Sequence, residues 1–595
     1  MTTFLHQLKN WEKEQPDWIA QSFKSQGVWK PITVKAFCER VHWIALFLES
    51  QGMTSKDILT LFSYNSPAWV HTDLGALLLG AKTAGIYPNA SPKDVSFVLG
   101  HTESRFLVIQ NQNYLKKIQE TPEGAKHLNR LKLILVLDPQ GPLPPQGISY
   151  EDACQQGQML ASQGRSYEQY LENLDAHAPA FIIYTSGTTG KPKGALLSHD
   201  NFIATIQLGI QFWELKVPQQ QKDQGRIFSF LPLCHVAETI HNLGAGILLK
   251  HTVYFCSSFE QISSELPEIQ PTLLLCVPRI WEKMMEAVLS KTAQKKGIVK
   301  KLILWGLAVG FQLRNQALFT KKLTWTEWIR YQLAQKLVLN PIKRALGLQK
   351  ATLLVSGAAP LAPSVKHWFQ GLGLAITEDF GQTESTGIIC MTKPGENTGN
   401  VVGRPVPGLE VKLAEDGEIL TRGVHVFKGY LKDPEATSKV LQDNWLHTGD
   451  LGVFDTQGSL RIVGRKKEIL KTSGGKMVAP IALEEEIKQC PMVSQACVIG
   501  DGRKHLSALL TLSSTGLQNI PQPSDPIITV TDVLRPIQMH INKLNASLSS
   551  FEQIKKFVVL AKEFSIEAGE ITPTLKLKRK VIEDHYQSVI ESIYA

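Results

Sequence analysis

The stretch Tyr184-Thr-Ser-Gly-Thr-Thr-Gly-Lys-Pro-Lys-Gly194 gathers groups suited to holding an anion. Thr185, Ser186, Thr188 and Thr189 supply hydroxyl donors, and Lys191 and Lys193 supply positive charge. Gly187, Gly190 and Gly194 let the backbone turn tightly and bring N–H groups close to a ligand. This is a phosphate cradle without the Walker spacing Gly-x-x-x-x-Gly-Lys-[Ser/Thr]. A flexible surface turn has a similar composition, so the loop alone does not decide. Further on, Glu378-Asp-Phe-Gly-Gln-Thr-Glu384 offers a flat Phe380 face for a purine, a Thr383 hydroxyl and, in Glu384, a hard oxygen ligand for Mg²⁺. An acidic surface turn is the plainer alternative. Asp450, after the tight turn in Trp445-Leu-His-Thr-Gly-Asp-Leu451, is a carboxylate suited to bidentate recognition of a diol.

These groups need elements to carry them. The apolar run Phe181–Tyr184 reads as a buried strand leading into the cradle. Ser198, His199 and Asp200 offer caps for a following helix, with Phe202, Ile206, Ile210 and Trp213 at helical spacing. The expected unit is therefore strand, glycine loop, helix. Val34–Ser50 and Ser66–Leu79 read as helices. Asp57–Phe62, Phe106–Gln110 and Leu131–Leu137 read as strands, and Gly85 as the start of another. Alternating strands and helices predict an α/β fold with largely parallel sheets. Near the end, Ile481–Cys490 reads as a helix, and Ala496–Gly500 and Leu506–Leu512 as strands.

A chain of 595 residues exceeds one small domain. Its 43% hydrophobic and 20% charged content is ordinary for a globular protein. Eight scattered cysteines, with no C-x-x-C pair, fit reduced thiols in a cytoplasm rather than a disulfide framework or zinc site. No signal-peptide pattern and no apolar run of membrane-spanning length are visible. The chain is basic, yet no nucleic-acid recognition motif accompanies the charge. The charge is also uneven. Residues 291–350 hold thirteen Lys/Arg and one acid, Glu327, a net +12 where the whole chain carries +9. Within them Leu302–Phe311 is apolar, with Trp305, Trp325 and Trp328 nearby. Two readings stand side by side: a core helix with a basic rim, or a surface that docks peripherally on anionic lipid.

The cradle resembles the phosphate-loop signature of the adenylate-forming superfamily: acyl-CoA synthetases, luciferases and nonribosomal adenylation domains. Leu231-Pro-Leu-Cys-His-Val-Ala-Glu238, Val277-Pro-Arg-Ile-Trp-Glu-Lys283, Gly474-Gly-Lys-Met-Val-Ala-Pro480 and Thr572-Pro-Thr-Leu-Lys576 resemble the long-chain fatty acid–CoA ligases within it. The resemblance implies a large N-terminal domain, residues 1–464, and a small mobile α+β C-terminal domain, residues 465–595. It implies ATP, Mg²⁺ and coenzyme A, with a fatty acid attacking the α-phosphorus and a thiol then displacing AMP. By the same resemblance, residues 185–191 and Lys193 hold the phosphates, and Thr185 and Glu384 hold the metal. Gly357, Ala358, Ala359, Pro360, Asp379, Phe380, Gly381, Gln382, Asp450 and Arg465 fix the nucleoside. Lys576, Thr383, Glu384 and His235 are the expected catalytic set, with His235 bordering the acyl pocket; a packed core histidine is the plainer reading of that residue. Lys467 is the expected hinge, and Gly474, Gly475 and Lys476 border the coenzyme A channel after rotation. Phe380 replaces the usual Tyr, Asp379 stands where Gly is frequent, and Val424 replaces a common Pro. Three alternatives remain. They are transfer of the adenylate to a carrier protein, activation of another carboxylic acid, and a lipid-surface binding protein that has lost the reaction.

Overall fold

The computed structural model describes residues 2–185, 192–319, 324–396, 401–517, 526–572 and 576–595. Six residues of the cradle, 186–191, therefore lie outside the described residues, as do 573–575 beside Lys576.

Two large sheets dominate the first 400 residues. One has seven strands, running from Gly147–Ser149 through Leu133–Val136, Phe106–Ile109, Ile58–Phe62 and Lys82–Gly85 to Pro179–Thr185 and Lys193–Ser198. Every neighbouring pair in it is parallel except the last. The other has nine strands. Its centre, Thr252–Phe255, Arg226–Ser229, Leu273–Cys276, Leu353–Ser356 and Ile376–Phe380, is parallel. Both edges turn antiparallel. The helices Val34–Ser50 and Pro67–Leu78 bury Val41, Ala45, Val70 and Leu74 in a core shared by both sheets. Their starts follow from capping: the Thr33 and Ser66 side chains accept the Ala36 and Trp69 N–H groups, and Pro67 occupies the first turn.

Most of the expected elements are present, with shifted ends. Gly85 closes the strand Lys82–Gly85 rather than opening one. The cradle differs more. It is not joined directly to a helix: the strand Lys193–Ser198 lies between, antiparallel to Pro179–Thr185. Ser198 then caps the helix His199–Phe212. The run Gly194–Leu197 is a buried edge partner too short to show a period of its own. The hairpin Ile19–Ser25 and Val28–Thr33 and the helix Phe4–Glu14 complete the amino-terminal end.

A five-stranded sheet built on Glu410–Leu413, Glu418–Arg422, Trp445–Phe454 and Leu460–Arg465 leads to the C-terminal region. There Val493–Ile499, Leu506–Leu512 and Ile554–Leu560 form a three-stranded sheet under the helices Pro480–Lys488 and Thr531–Asn545, with cores of their own. The basic segment folds as the helices Gly297–Phe319 and Trp325–Ala334. Leu307, Val309 and Leu313 are buried against Trp281 and Phe369, so one face is core as the first reading expected. Other positions of the two helices are exposed: Ile298 is 84% and Trp325 76% exposed.

Candidate active site

Strands of both large sheets end at one cavity of about 1840 Å³. Thr185 closes the strand Pro179–Thr185, Gly357 follows Leu353–Ser356, and Gly381 follows Ile376–Phe380. All three line the cavity. In α/β sheets the carboxyl ends of parallel strands are where loops diverge and leave room for a ligand.

The phosphate side is held together by a block with no role of its own in the sequence reading. The segment Lys428–Leu431 runs beside the second cradle strand: Leu196 N–H donates to Gly429 O at 2.9 Å, and Leu431 N–H to Gly194 O at 2.8 Å. This sets Tyr430 between two expected ligand groups. Its hydroxyl donates to Glu384 Oε1 at 2.6 Å, and Lys193 Nζ lies 4.9 Å from its ring centre. Glu384 is buried, lines the cavity and keeps its second carboxylate oxygen for a hard cation. Thr185 Oγ1 is anchored on Lys193 O at 3.4 Å, a long bond that leaves the hydroxyl lone pairs to a ligand. The donor set therefore fits Mg²⁺ with nucleotide phosphates.

On the nucleoside side, Ala358 has φ +70°, a left-handed conformation that a non-glycine residue adopts only at a cost. Gly357 has no room for a side chain: a Cβ there would sit 2.2 Å from Asp379 Oδ1. Gly357, Ala358, Asp379, Gly381, Gln382 and Thr383 line the cavity, whereas Ala359 and Pro360 are exposed outside its wall. Phe380 packs among Ile389, Val402, Ile419 and Leu460 and is not part of the lining. Burial pushes the Asp379 carboxyl up to about 7.

Asp450 and Arg465 face each other across adjacent antiparallel strands, with Arg465 Nε 3.1 Å from Asp450 Oδ1. Arg465 lines the cavity and Asp450 lies buried behind it. Lys466 and Lys467 follow in a short 3₁₀ turn, and Lys466 Nζ binds Glu418 at 3.0 Å. Glu418 also accepts Gly449 N–H at 2.9 Å and so shapes the turn that presents Asp450. Sequence reasoning gave Glu418 no role. Its only signal was a carboxylate directly after the Asp416-Gly417 turn.

Lys576 reaches the same cavity from the C-terminal region. Its N–H donates to Thr572 Oγ1 at 3.0 Å, and Thr572 N–H donates back to its carbonyl at 2.8 Å. Burial and the nearby Arg465 guanidinium lower its ammonium to about 8, while Asp450, Glu468 and Glu384 pull the other way. His235 caps the helix Val236–Thr239, its Nδ1 accepting Ala237 N–H at 3.2 Å, and its ring lines the cavity. Burial, then the charge of Lys576, depress it to about 4, so it is neutral at pH 7. Phe230, Val236, Leu275, Val277 and Ile280 add an apolar wall beside it. Val236, Val277 and Ile280 belong to the blocks Leu231–Glu238 and Val277–Lys283, whereas Phe230 and Leu275 lie outside them and had no role in the sequence reading. Gly474, Gly475 and Lys476 are exposed and lie away from the cavity lining, with Lys476 Nζ 5.8 Å from the Phe551 ring.

Comparisons with known proteins agree with this arrangement. A family model described as AMP-binding enzyme matches residues 8–431, and one described as AMP-binding enzyme C-terminal domain matches residues 467–595. The chain is 31% identical to the long-chain-fatty-acid–CoA ligase FadD15 of Mycobacterium bovis, over 98% of this chain and 95% of that one. It is 31% identical to the human long-chain-fatty-acid–CoA ligase ACSBG2, over 97% and 90%. Among solved structures, the anthranilate CoA ligase AuaEII in complex with anthranoyl-AMP shares the fold, with a TM-score of 0.74 at 20% identity over 99% of this chain and 98% of that one. The first match ends at residue 431 and the second begins at residue 467, and together they cover most of the chain: the chain belongs to the AMP-binding enzyme family.

Proposed function

We propose that the protein is an acid–thiol ligase that activates a long-chain fatty acid with ATP and passes the acyl group to coenzyme A, releasing pyrophosphate and AMP. The observation that carries this reading is the meeting of Lys576 with Glu384, Arg465 and His235 around one cavity, a cation from the C-terminal region set against the nucleotide side and beside an apolar wall. Bringing a carboxylate to the α-phosphorus joins two anions, so the protein's work is positioning and charge compensation. Lys576 bridges the carboxylate and the α-phosphate as charge develops. Glu384 and Thr185 would hold Mg²⁺, which would neutralise phosphate charge. Arg465 and Asp450 hold the ribose. Neutral His235 borders the acyl pocket without adding a competing charge. The thiol step needs another constellation. Rotation about Lys467 withdraws Lys576 and brings in Gly474–Lys476, which agrees with the exposed position of that loop here.

The test is mass spectrometry of products from ATP, Mg²⁺ and a ladder of fatty acids, with and without coenzyme A, beside Lys576→Ala. Acyl-CoA appearing only with coenzyme A, and lost in the variant, is the expected outcome. Acyl-adenylate accumulating regardless of coenzyme A moves the acceptor to a carrier protein. No adenylate from any fatty acid overturns the substrate class.

The substrate class also gives the basic helices a task. Among the described residues no helix is long and apolar enough to cross a membrane. Exposed Ile298, Leu302, Leu304, Trp325 and Trp328 beside Lys300 and Lys301 favour peripheral docking on an anionic lipid surface that holds the substrate. Vesicle co-sedimentation that ignores both anionic lipid content and salt sinks this reading.

A further inference from the structure

The block Val277–Lys283 has a second face. Pro278 opens the helix Pro278–Gln294. Its first turn sends Ile280 to the cavity and Trp281, fully buried, to the core. Arg279 leaves in a third direction, toward the C-terminal domain. Its Nη2 donates to Ser494 Oγ at 2.9 Å and lies 3.7 Å from Glu563 Oε1. Its Nη1 lies 3.3 Å from Glu282 and 3.9 Å from Glu286 on its own helix. Ser494 donates in turn to Glu563, which closes the cluster. One guanidinium, with a side chain only 25% exposed, is thus shared by carboxylates from both domains. Ser494 belongs to the strand Val493–Ile499 of the three-stranded C-terminal sheet, and Glu563 stands three residues before Ile566. Ile566 and Glu567 line the cavity together with Lys576, so the cluster borders the segment that delivers the lysine.

We propose that Arg279 is an interdomain latch that holds the C-terminal domain where Lys576 occupies the cavity, and that it must release before the thiol step. The proposal rests on the two-step reading above. Arg279 touches no expected substrate atom; it is a positioning residue. The physical case is charge balance. Glu282 and Glu286 on one domain face Glu563 on the other with Arg279 between them, while Lys488 of the C-terminal domain also attracts Glu282 and Lys283 acts on Glu286. Removing it turns an attraction into like-charge repulsion across a partly buried seam, where salt screens poorly. The lost contact penalises only the orientation that contains it.

The test separates the two half-reactions in Arg279→Ala, Arg279→Lys, Ser494→Ala and Glu563→Gln. Fatty-acid-dependent exchange between pyrophosphate and ATP reports the first step. Single-turnover conversion of supplied acyl-adenylate with coenzyme A reports the second. In Arg279→Ala the first step falls about tenfold while the second stays within about twofold of wild type or rises. Arg279→Lys recovers part of the loss, and Arg279→Ala with Glu563→Gln costs less than the two separate losses combined. Equal losses in both steps, or none in either, overturn the latch. Should Arg279→Ala fail to fold, Ser494→Ala and Glu563→Gln carry the same split or its absence. Limited proteolysis between residues 465 and 472, without any acid, reads the latch independently: faster cleavage in the variants supports it, and unchanged cleavage overturns it. If wild type shows no exchange with any acid, the proposed function fails, and proteolysis still judges the latch.

Discussion

Lys576 sets how the first step responds to pH. Its ammonium sits at about 8, lowered by burial and by Arg465. The charged form bridges two anions, so raising the pH through that value removes the needed charge. The single-turnover adenylation rate is therefore expected to fall as pH rises through about 8, and a rate still flat at pH 10 contradicts the role. His235 is neutral above its value of about 4 and adds no limb between pH 6 and 8. Tyr430 is the next residue to test, because its hydroxyl fixes one carboxylate oxygen of Glu384 in the cavity wall. In Tyr430→Phe the carboxylate loses its orienting bond, and the Mg²⁺ concentration for half-maximal adenylation is expected to rise roughly tenfold. Titration of activity against Mg²⁺ in the variant checks this. The place that the resemblance gives Phe380, against the nucleoside, depends on which side of its strand the ring takes. Its ring is committed to a small core with Ile389 and Leu460, and residue type alone could not say which side of the strand it takes.

The described ends of the cradle belong to two antiparallel strands, Pro179–Thr185 and Lys193–Ser198, and a strand rather than a helix follows it, which changes what holds it. Its second strand is pinned on both sides, by Pro179–Thr185 and by the backbone of Lys428–Leu431. The turn between Leu353–Ser356 and Pro363–Gly371 is held as tightly. Gly357→Ala would drive its Cβ into Asp379 Oδ1, and that carboxyl would have to swing toward the nucleotide side. The expected result is a several-fold rise in KM for ATP with KM for fatty acid unchanged, measured in the full reaction. The helices Gly297–Phe319 and Trp325–Ala334 carry both kinds of position, some in the core around Trp281 and others in solvent. Replacing Trp325 and Trp328 by Ala is expected to leave the thermal midpoint unchanged within about a degree, since surface substitutions shift stability little, and to weaken vesicle binding.

The molecule depends on a few buried polar ties between its layers. Lys366 in the helix Pro363–Gly371 pairs with Glu378 in the neighbouring strand, both nearly buried. Glu378 also accepts Leu361 N–H at 3.3 Å, which fastens the loop below the nucleoside turn. Lys366→Met would leave the Glu378 carboxyl buried without its cation, a loss of about 3 kcal/mol read as a lower denaturation midpoint in urea. Burial already raises that carboxyl above its usual range, so the variant is expected to bind a proton there on folding.

Fold class and family were legible because their signals are local. A strand, a glycine loop and a carboxylate motif each lie within about a dozen residues, and their order along the chain survives without knowing how they meet. Helix starts were equally local, since Thr33 and Ser66 cap through neighbours three residues on. The joining was not legible. Tyr430 beneath Lys193, Asp450 opposite Arg465 and Arg279 against Ser494 are contacts between distant segments, and residue type carries no record of which distant surface a side chain will face. Phe230 and Leu275 in the apolar wall beside His235 were hidden for a related reason: burial selects the same residues whether they face a substrate chain or other core. Sequence alone thus determined the chemical groups and their order. Tertiary structure decided which of them share a cavity, because closing long loops is driven by the sum of many packed contacts and not by any motif.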